Sequence, residues 1–174
     1  LTDTTIDATI LAARIDEYDV IGGTTNMTLP SGATINVDAS EVTHMLADES
    51  AGRLTIVDQV INVTGAISVD NANLLGATTT GVVTASIDSS ESVTELATLA
   101  PDGGINVFTI TIGVADATSS TAAQLNAIND AVSASVIIDL SNVTALAGST
   151  LADLGTLATA ITNNEFSNAG GLTT

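Results

Sequence analysis

Alternating β-branched residues, followed by apolar residues three or four positions apart, recur along this chain. The pattern is clearest between Ile105 and Ala147, where a strand-like run at 107–114 leads through Asp116 into a helix-like run at 122–131. A change of hydrophobic period from 2 to 3 or 4 indicates a strand followed by a helical segment. Five segments share this order, and they begin at Ile35, Ile67, Val82, Phe108 and Ser135. The pattern therefore predicts a succession of strand–helix repeats.

The spacing of these repeats predicts an α/β fold. Strand-like runs begin roughly 15 to 30 residues apart, the range in which a strand and a short helix form one turn of a parallel solenoid. Neighbouring parallel strands need a crossover connection, and such connections are almost always right-handed. We therefore expect a short right-handed solenoid, or an open parallel sheet with the helices packed on one side.

A single repeat-containing domain is predicted over residues 1–162, because 174 residues with 45% hydrophobic content can bury one core. Residues 1–53 are less regular, and the spacing of apolar residues there predicts an amphipathic helix from Ile6 to Tyr18. Residues 54–162 carry the regular repeats.

Two further local features follow from small residues. Gly65 interrupts a β-rich stretch from Asp58 to Val69 and indicates a bend or bulge. Residues 163–174 are small and polar, so we expect a linker or a poorly ordered tail.

The charge balance restricts the possible partners. Two basic residues oppose twenty acidic ones, which gives a formal net charge of -18. Such a chain has no set of Lys and Arg side chains with which to bind the phosphates of nucleic acid. No apolar run is long enough to predict insertion into a membrane. Cations, above all Ca²⁺, are the ligands that suit this surface.

Polar residues at the predicted strand ends have two interpretations. An Asp or Ser side chain at a strand-to-helix junction can accept hydrogen bonds from the first amides of the helix. The candidate caps are Asp38, Asp70, Asp88, Asp116 and either Asp139 or Ser141. Stacked Asp residues would instead repel each other at a spacing of about 5 Å unless a cation bridged them. On that interpretation Asp88, Asp102 and Asp116 are the candidate calcium ligands.

Enzymatic chemistry has little support in this sequence. Cysteine is absent and His44 is the only histidine. His44 lies in EVTHMLADES, a pattern that predicts a short helix with a structural histidine on its exposed or half-buried side. The chain also lacks a GxSxG motif and phosphate-binding glycine loops. We therefore expect that it is not an enzyme and that it holds no resident cofactor other than possible calcium.

Thr, Ala and Val dominate segments such as ISVDNANLLGATTTGVVTAS, FTITIGVADATSSTAAQLNAI and VTALAGSTLADL. These segments resemble the degenerate repeats of very large secreted or cell-surface proteins of bacteria, especially marine cyanobacteria. The resemblance covers about residues 61–161 and implies an extracellular or cell-surface location and a structural role. The calcium-binding GGxGxDxxx nonapeptide of such proteins is absent here, so the resemblance does not imply calcium binding.

The leading hypothesis is a non-enzymatic, adhesin-like structural module of a larger extracellular or surface protein. Its expected partners are neighbouring repeats or other copies of itself, with self-assembly into fibres or layers. A calcium-binding module is the alternative, and an enzyme acting on polysaccharide is the third hypothesis.

Overall fold

The computed structural model describes residues 5–7, 10, 26–100, 105–133 and 135–172. The strands in this part of the chain are β1 (Thr5–Asp7), β2 (Met27–Thr28), β3 (Thr34–Asp38), β4 (Leu54–Thr55), β5 (Val60–Ile67), β6 (Val83–Ile87), β7 (Val107–Thr109), β8 (Ile138–Asp139) and β9 (Phe166–Ser167). The α-helices are α1 (Val42–Ser50), α2 (Val69–Thr78), α3 (Val93–Leu96), α4 (Ala122–Asp130) and α5 (Leu151–Thr162). Short 3₁₀ helices cover Ala39–Glu41, Val114–Asp116 and Ala169–Gly171.

The main sheet has five parallel strands in the order β1-β3-β5-β6-β7. Its strands follow one another across the sheet in the same order as along the chain. Beyond β7, a parallel bridge joins Thr111 to Asp139 in β8, and β8 pairs in parallel with β9. Strands β2 and β4 form a separate parallel pair. The predicted α/β class with an open parallel sheet is confirmed.

A strand and the helix that follows it are called here a strand–helix unit. The five units are unit 1 (β3 and α1), unit 2 (β5 and α2), unit 3 (β6 and α3), unit 4 (β7 and α4) and unit 5 (β8 and α5). These units match the order of the five segments picked out by hydrophobic period.

One face of the main sheet is buried and the other faces solvent. Strand β6 alternates strictly, with Val83, Ala85 and Ile87 buried and the two residues between them exposed. Ile35 and Ile61 lie side by side in register, and both are fully buried. On the helices, Leu75 and Leu125 are equally buried. The alternation thus turns the apolar residues of each strand towards one covered face and leaves the polar residues on the other.

Gly65 marks an irregularity in β5, as predicted. The pairing of β5 with β6 shifts register between Asn62 and Ala66. Gly65 has a φ of +95°, a conformation that residues with a Cβ rarely adopt. A Cβ at this position would also lie 3.1 Å from the Cβ of Ala39. Glycine therefore permits both the bulge and the close approach of the preceding unit.

The structure differs from the sequence expectation at both ends of the described chain. Ile6, assigned to an amphipathic helix, lies in β1 in register with Ile35, while most of the predicted helix lies outside the described residues. Residues 163–172, expected to be a linker or tail, include β9, whose Phe166 is only 5% exposed. Phe166 is buried because β9 pairs with β8 and adds its side chain to the core.

Adjacent leucines in α2 provide a direct test of this packing. Leu75 is 0% exposed and Leu74 is 54% exposed. Leu75→Ala should lower the free energy of unfolding by about 2–5 kcal/mol, because it removes buried methyl groups and leaves a cavity. Leu74→Ala, the matched control, should lower it by less than about 1 kcal/mol. Urea unfolding monitored by circular dichroism measures both values, and equal losses would contradict this assignment of faces.

Candidate functional site

Carboxylates at the strand ends bind backbone amides of the turns that follow. Asp38, Asp88 and Asp139 each accept a hydrogen bond from the amide of the serine two residues later, at 3.0, 2.8 and 2.9 Å. In this Asp-x-Ser turn, the aspartate side chain takes the place of a backbone acceptor for the serine amide at the end of the strand. It therefore recurs in three units as a structural device.

These hydrogen bonds favour the ionised form of each carboxylate. The Ser40 amide, followed by the Ser40 hydroxyl, lowers the pKa of Asp38 below its usual value. The amide and hydroxyl of Ser90 lower the pKa of Asp88 in the same way. For Asp139, the side-chain amide of Asn168 is the largest cause of a lowered pKa, and the Ser141 amide comes next. Folding thus keeps these carboxylates charged to lower pH than in the unfolded chain.

Hydroxyl side chains, and not the predicted Asp residues, cap helices α2 to α5 from within their own units. Ser68, Ser92, Thr121 and Thr150 precede helices α2 to α5, and each accepts the amide of the residue three positions later at 3.2 Å. Two of these caps are completed by a return hydrogen bond, from Ser92 to Glu95 and from Thr121 to Gln124. This arrangement satisfies two amides of the first turn region at once.

The predicted caps are therefore correct only in part. Asp38 does cap the 3₁₀ helix Ala39–Glu41. Asp70 lies inside the first turn of α2 instead, and Asp88 closes a turn ahead of the true cap of α3. Asp139 and Ser141 bind each other, well before the start of α5. Helices α3 and α5 begin later than the period change suggested, with Ser92 and Thr150 as their caps, whereas α2 begins earlier, directly after Ser68.

A second set of side chains caps the helix of the preceding unit. The first amide of α2 donates to Glu91 at 3.2 Å, that of α3 to Asp116 at 2.9 Å, and that of α4 to Ser149 at 2.9 Å. Each acceptor belongs to the chain segment of the following unit. Asp116, predicted to cap its own helix, caps the preceding one. Sequence inspection missed Glu91 and Ser149, since nothing distinguishes them from other polar residues near a helix start.

Two of the three predicted calcium ligands accept structural hydrogen bonds. Asp116 accepts the amide of Val93, and Asp88 accepts that of Ser90. Within the described ranges, no three His, Cys, Asp or Glu side chains come close enough to hold a metal ion. Asp102, the third predicted ligand, lies outside the described residues. Calcium ligation by Asp88, Asp102 and Asp116 therefore stays a prediction from the sequence.

His44 lies beside the ion pair between Asp48 of α1 and Arg53. Asp48 is 1% exposed and accepts two hydrogen bonds from the guanidinium of Arg53, at 2.9 and 2.6 Å. The His44 ring lies 3.9 Å from Asp48 and 3.8 Å from Glu41, with its side chain 39% exposed. Arg53 balances the buried carboxylate, because an unpaired buried charge would be strongly destabilising. His44 thus sits half-exposed on a short helix, as the sequence pattern predicted.

The uncovered face of the main sheet is polar and regular. Asn36 and Asn62 lie in register on β3 and β5, and the Asn62 amide donates to the Asn36 side-chain oxygen at 3.3 Å. Thr84 and Ser86 continue this face on β6, and Thr109 continues it on β7. Asp7 and Asp38 lie on the same face, and Val107 is in register with Thr84, so the face is mainly but not wholly polar.

An apolar groove lies beyond α5, at the end of the molecule furthest from β1. It has a volume of about 490 Å³. The groove is lined by Leu146, Leu154, Leu157, Ala158, Ile161, Ala169, Gly170 and Leu172. None of these residues is charged, although the chain carries twenty acidic side chains. Apolar residues on more than one side of α5 were the sequence signal for this groove, since they indicate a helix with two faces to cover.

Comparison with protein-family models, curated proteins and solved structures found no match to this chain. In the described part of the chain, no helix is long and apolar enough to cross a membrane. The resemblance to bacterial surface repeats thus stays a prediction made from the sequence.

Asp116→Ala tests the caps that cross between units. The variant leaves the first amide of α3 without its acceptor, so we expect a loss of about 0.5–2 kcal/mol in the free energy of unfolding. Asp116→Asn keeps an acceptor oxygen and should retain most of the stability. Asp130→Ala removes the same charge from an exposed position at the end of α4 and should change stability by less than about 0.5 kcal/mol. Urea unfolding of the three variants measures these changes in the free energy of unfolding. If Asp116→Ala and Asp130→Ala lowered it equally, Asp116 would not be a cap of α3.

Lowered carboxylate pKa values predict a specific loss of stability in acid. The folded pKa of Asp88 lies below the ordinary value of 3.8, so its hydrogen bonds contribute fully above that pH. The contribution is lost as the pH falls through the folded pKa. Asp88→Asn should therefore flatten the decline in the free energy of unfolding below about pH 4. Urea unfolding at a series of pH values measures this slope, and a slope equal to that of the wild type would contradict the assignment.

Proposed function

We propose that this chain is a non-enzymatic, adhesin-like structural module of a larger extracellular or cell-surface protein, in which the strand–helix units stack as a short solenoid. The observation that carries the proposal is the continuity of hydrogen bonds between successive units. Strands pair in chain order, and the first amides of three helices are capped by the following unit. Such an arrangement transmits load from unit to unit without a flexible joint.

Further side-chain bonds between units support a rigid spacer. The Asn142 amide donates to the Ile112 carbonyl at 2.7 Å, and the Gln124 amide donates to the Thr94 hydroxyl at 3.1 Å. The Asn73 amide donates to the Thr98 carbonyl at 3.0 Å. These contacts join residues 25 to 30 positions apart in the sequence. They tie the helices and loops of neighbouring units together, in addition to the sheet.

The chemistry of the charged groups also favours a structural role. Asp38, Asp88, Asp116 and Asp139 accept hydrogen bonds that hold turns and helix starts, and Asp48 is paired with Arg53. These carboxylates therefore have a structural use that involves no substrate. A net charge of -18 keeps such a module soluble and makes it repel other acidic surfaces.

Distance measurements between two spin labels test the rigid-spacer proposal. The chain has no cysteine, so Asn36→Cys in β3 and Ser167→Cys in β9 can be labelled without other changes. Five strand spacings separate these strands, which corresponds to about 24 Å between backbones. Double electron–electron resonance should give a narrow distribution near this distance, and the same protein in denaturant supplies the broad reference.

Two outcomes would count against the proposal. A broad distribution in buffer would mean that the units move relative to one another, which a stiff spacer does not allow. A shift of the distance on addition of millimolar Ca²⁺, absent with Mg²⁺, would favour the calcium-binding alternative.

A further inference from the structure

A polar cleft lies between α4, α5 and the segment that follows α5. It has a volume of about 280 Å³, and seven of its eight lining residues are polar. Helix α4 contributes Asn126, Asn129 and Asp130, and helix α5 contributes Thr156 and Thr159. The hydrogen bonds of these side chains show which chemical groups the cleft suits.

One buried acceptor in this polar cleft has no hydrogen-bond donor. In the described part of the chain, the side-chain oxygen of Asn126 is buried and accepts no hydrogen bond. The side-chain nitrogen of Asn126 donates to the Asp153 carbonyl at 3.0 Å, which fixes the orientation of the amide. A buried oxygen without a donor is destabilising, because its lost hydration is not replaced. A donor that reached this oxygen would therefore be favoured.

The threonine hydroxyls of the polar cleft can only accept further hydrogen bonds. Thr156 and Thr159 each donate to the carbonyl four residues earlier in α5, at 3.3 and 3.0 Å. A hydroxyl has one hydrogen, so both oxygens keep lone pairs but have no hydrogen left to donate. Asp130 adds an exposed carboxylate at the end of α4. The occupant must therefore be a donor, and the carboxylate favours a positively charged one.

Glu165 distinguishes between the two cationic groups found in proteins. Its two carboxylate oxygens accept the side-chain amides of Asn129 and Asn163, at 2.7 and 3.3 Å. A guanidinium binds both oxygens of a carboxylate in a fork, and here both oxygens are already engaged. A primary ammonium is a compact charge with three donors. It can bind the neutral oxygens while the carboxylates balance its charge.

The size of the polar cleft favours an ammonium that carries an alkyl chain. A water molecule occupies about 30 Å³ in the liquid, so a bare ion would fill only a small part of the cleft. The alkyl chain of an amine can fill more of it and contact Ala160, the one apolar lining residue.

We propose that the polar cleft binds the primary ammonium group of an alkylamine, supplied by a lysine side chain of another protein or by a small free amine. The site goes beyond the structural role proposed above and does not depend on it. The oxygens of Asn126 and Thr159 accept N–H groups, and Asp130 and Glu165 balance the charge. This chain contains no lysine, so a lysine ligand comes from a different protein.

An NMR titration of the ¹⁵N-labelled protein with n-butylammonium, a mimic of the lysine side chain, tests the site. The ammonium must displace part of the lining to reach the buried oxygen, so the side-chain amide signals of Asn126 and Asn129 should shift. For so small a ligand we expect saturation at millimolar concentration. Tetramethylammonium has the same charge but no N–H donor, and at equal ionic strength it should shift these signals much less.

Two threonines of α5 provide a matched pair of variants. Thr159 and Thr162 are both exposed and both donate to the carbonyl four residues earlier, but only Thr159 lines the polar cleft. Thr159→Val should weaken binding of n-butylammonium about fivefold or more, because it removes an acceptor for a charged donor. Thr162→Val should leave the Kd unchanged. Thermal unfolding verifies that both variants are folded.

Two aspartates test whether the attraction is local. Asp130 lines the polar cleft and Asp70 lies on α2, and both are exposed. Asp130→Asn and Asp70→Asn remove the same charge from the protein. Asp130→Asn should weaken binding more, because its carboxylate lies at the site.

Four results would overturn the proposal. They are no shift with n-butylammonium, equal shifts with tetramethylammonium, equal effects of the two variants in either pair, and a saturable shift of the same amides with Ca²⁺ but not with the amine. Comparison of Nα-acetyl-lysine methylamide with 1,4-diaminobutane identifies the source of the ammonium. Tighter binding of the blocked lysine supports a protein ligand, and tighter binding of the diamine supports a free amine.

Discussion

The first amides of an α-helix have no partner within that helix, and in this protein two different units satisfy them. The helix's own Ser or Thr takes the third amide, and a side chain of the following unit takes the first. Glu91, Asp116 and Ser149 fill this second role for α2, α3 and α4. Each of these three helix starts is thus completed only when the next unit is in place, which couples the formation of neighbouring units.

In the parallel sheet, each strand likewise depends on the neighbouring units to bury its apolar side chains. Ile61 is buried because Ile35 and Val83 lie on either side of it in register, and helices cover that face. A single strand and helix would leave most of this apolar surface in water. Burial, strand pairing and helix capping therefore all act between neighbouring units.

Much of this architecture could be predicted from the sequence, because hydrophobic period is a local property. The order of strands and helices, the parallel α/β class and the irregularity at Gly65 follow from residues close together in the chain. The partner of a capping side chain is not local: the amide bound by Asp116 lies 23 residues away. For the same reason Asp88 and Asp116 could be identified as polar junction residues, but the amides that they bind could not be predicted. Apolar residues on more than one side of α5 indicate that this helix has a second face to cover, but which face α4 covers depends on contacts distant in the sequence.

The hydrogen bonds that cap one helix from the next unit join residues 22, 23 and 27 positions apart. In a chain built this way, the loop that must close to add a unit has nearly the same length wherever the unit lies. Loop-closure entropy depends on that length and not on the total number of residues. One more unit therefore has the same entropic cost in a short protein as in a long one, so such a chain can lengthen during evolution without folding becoming harder at each step.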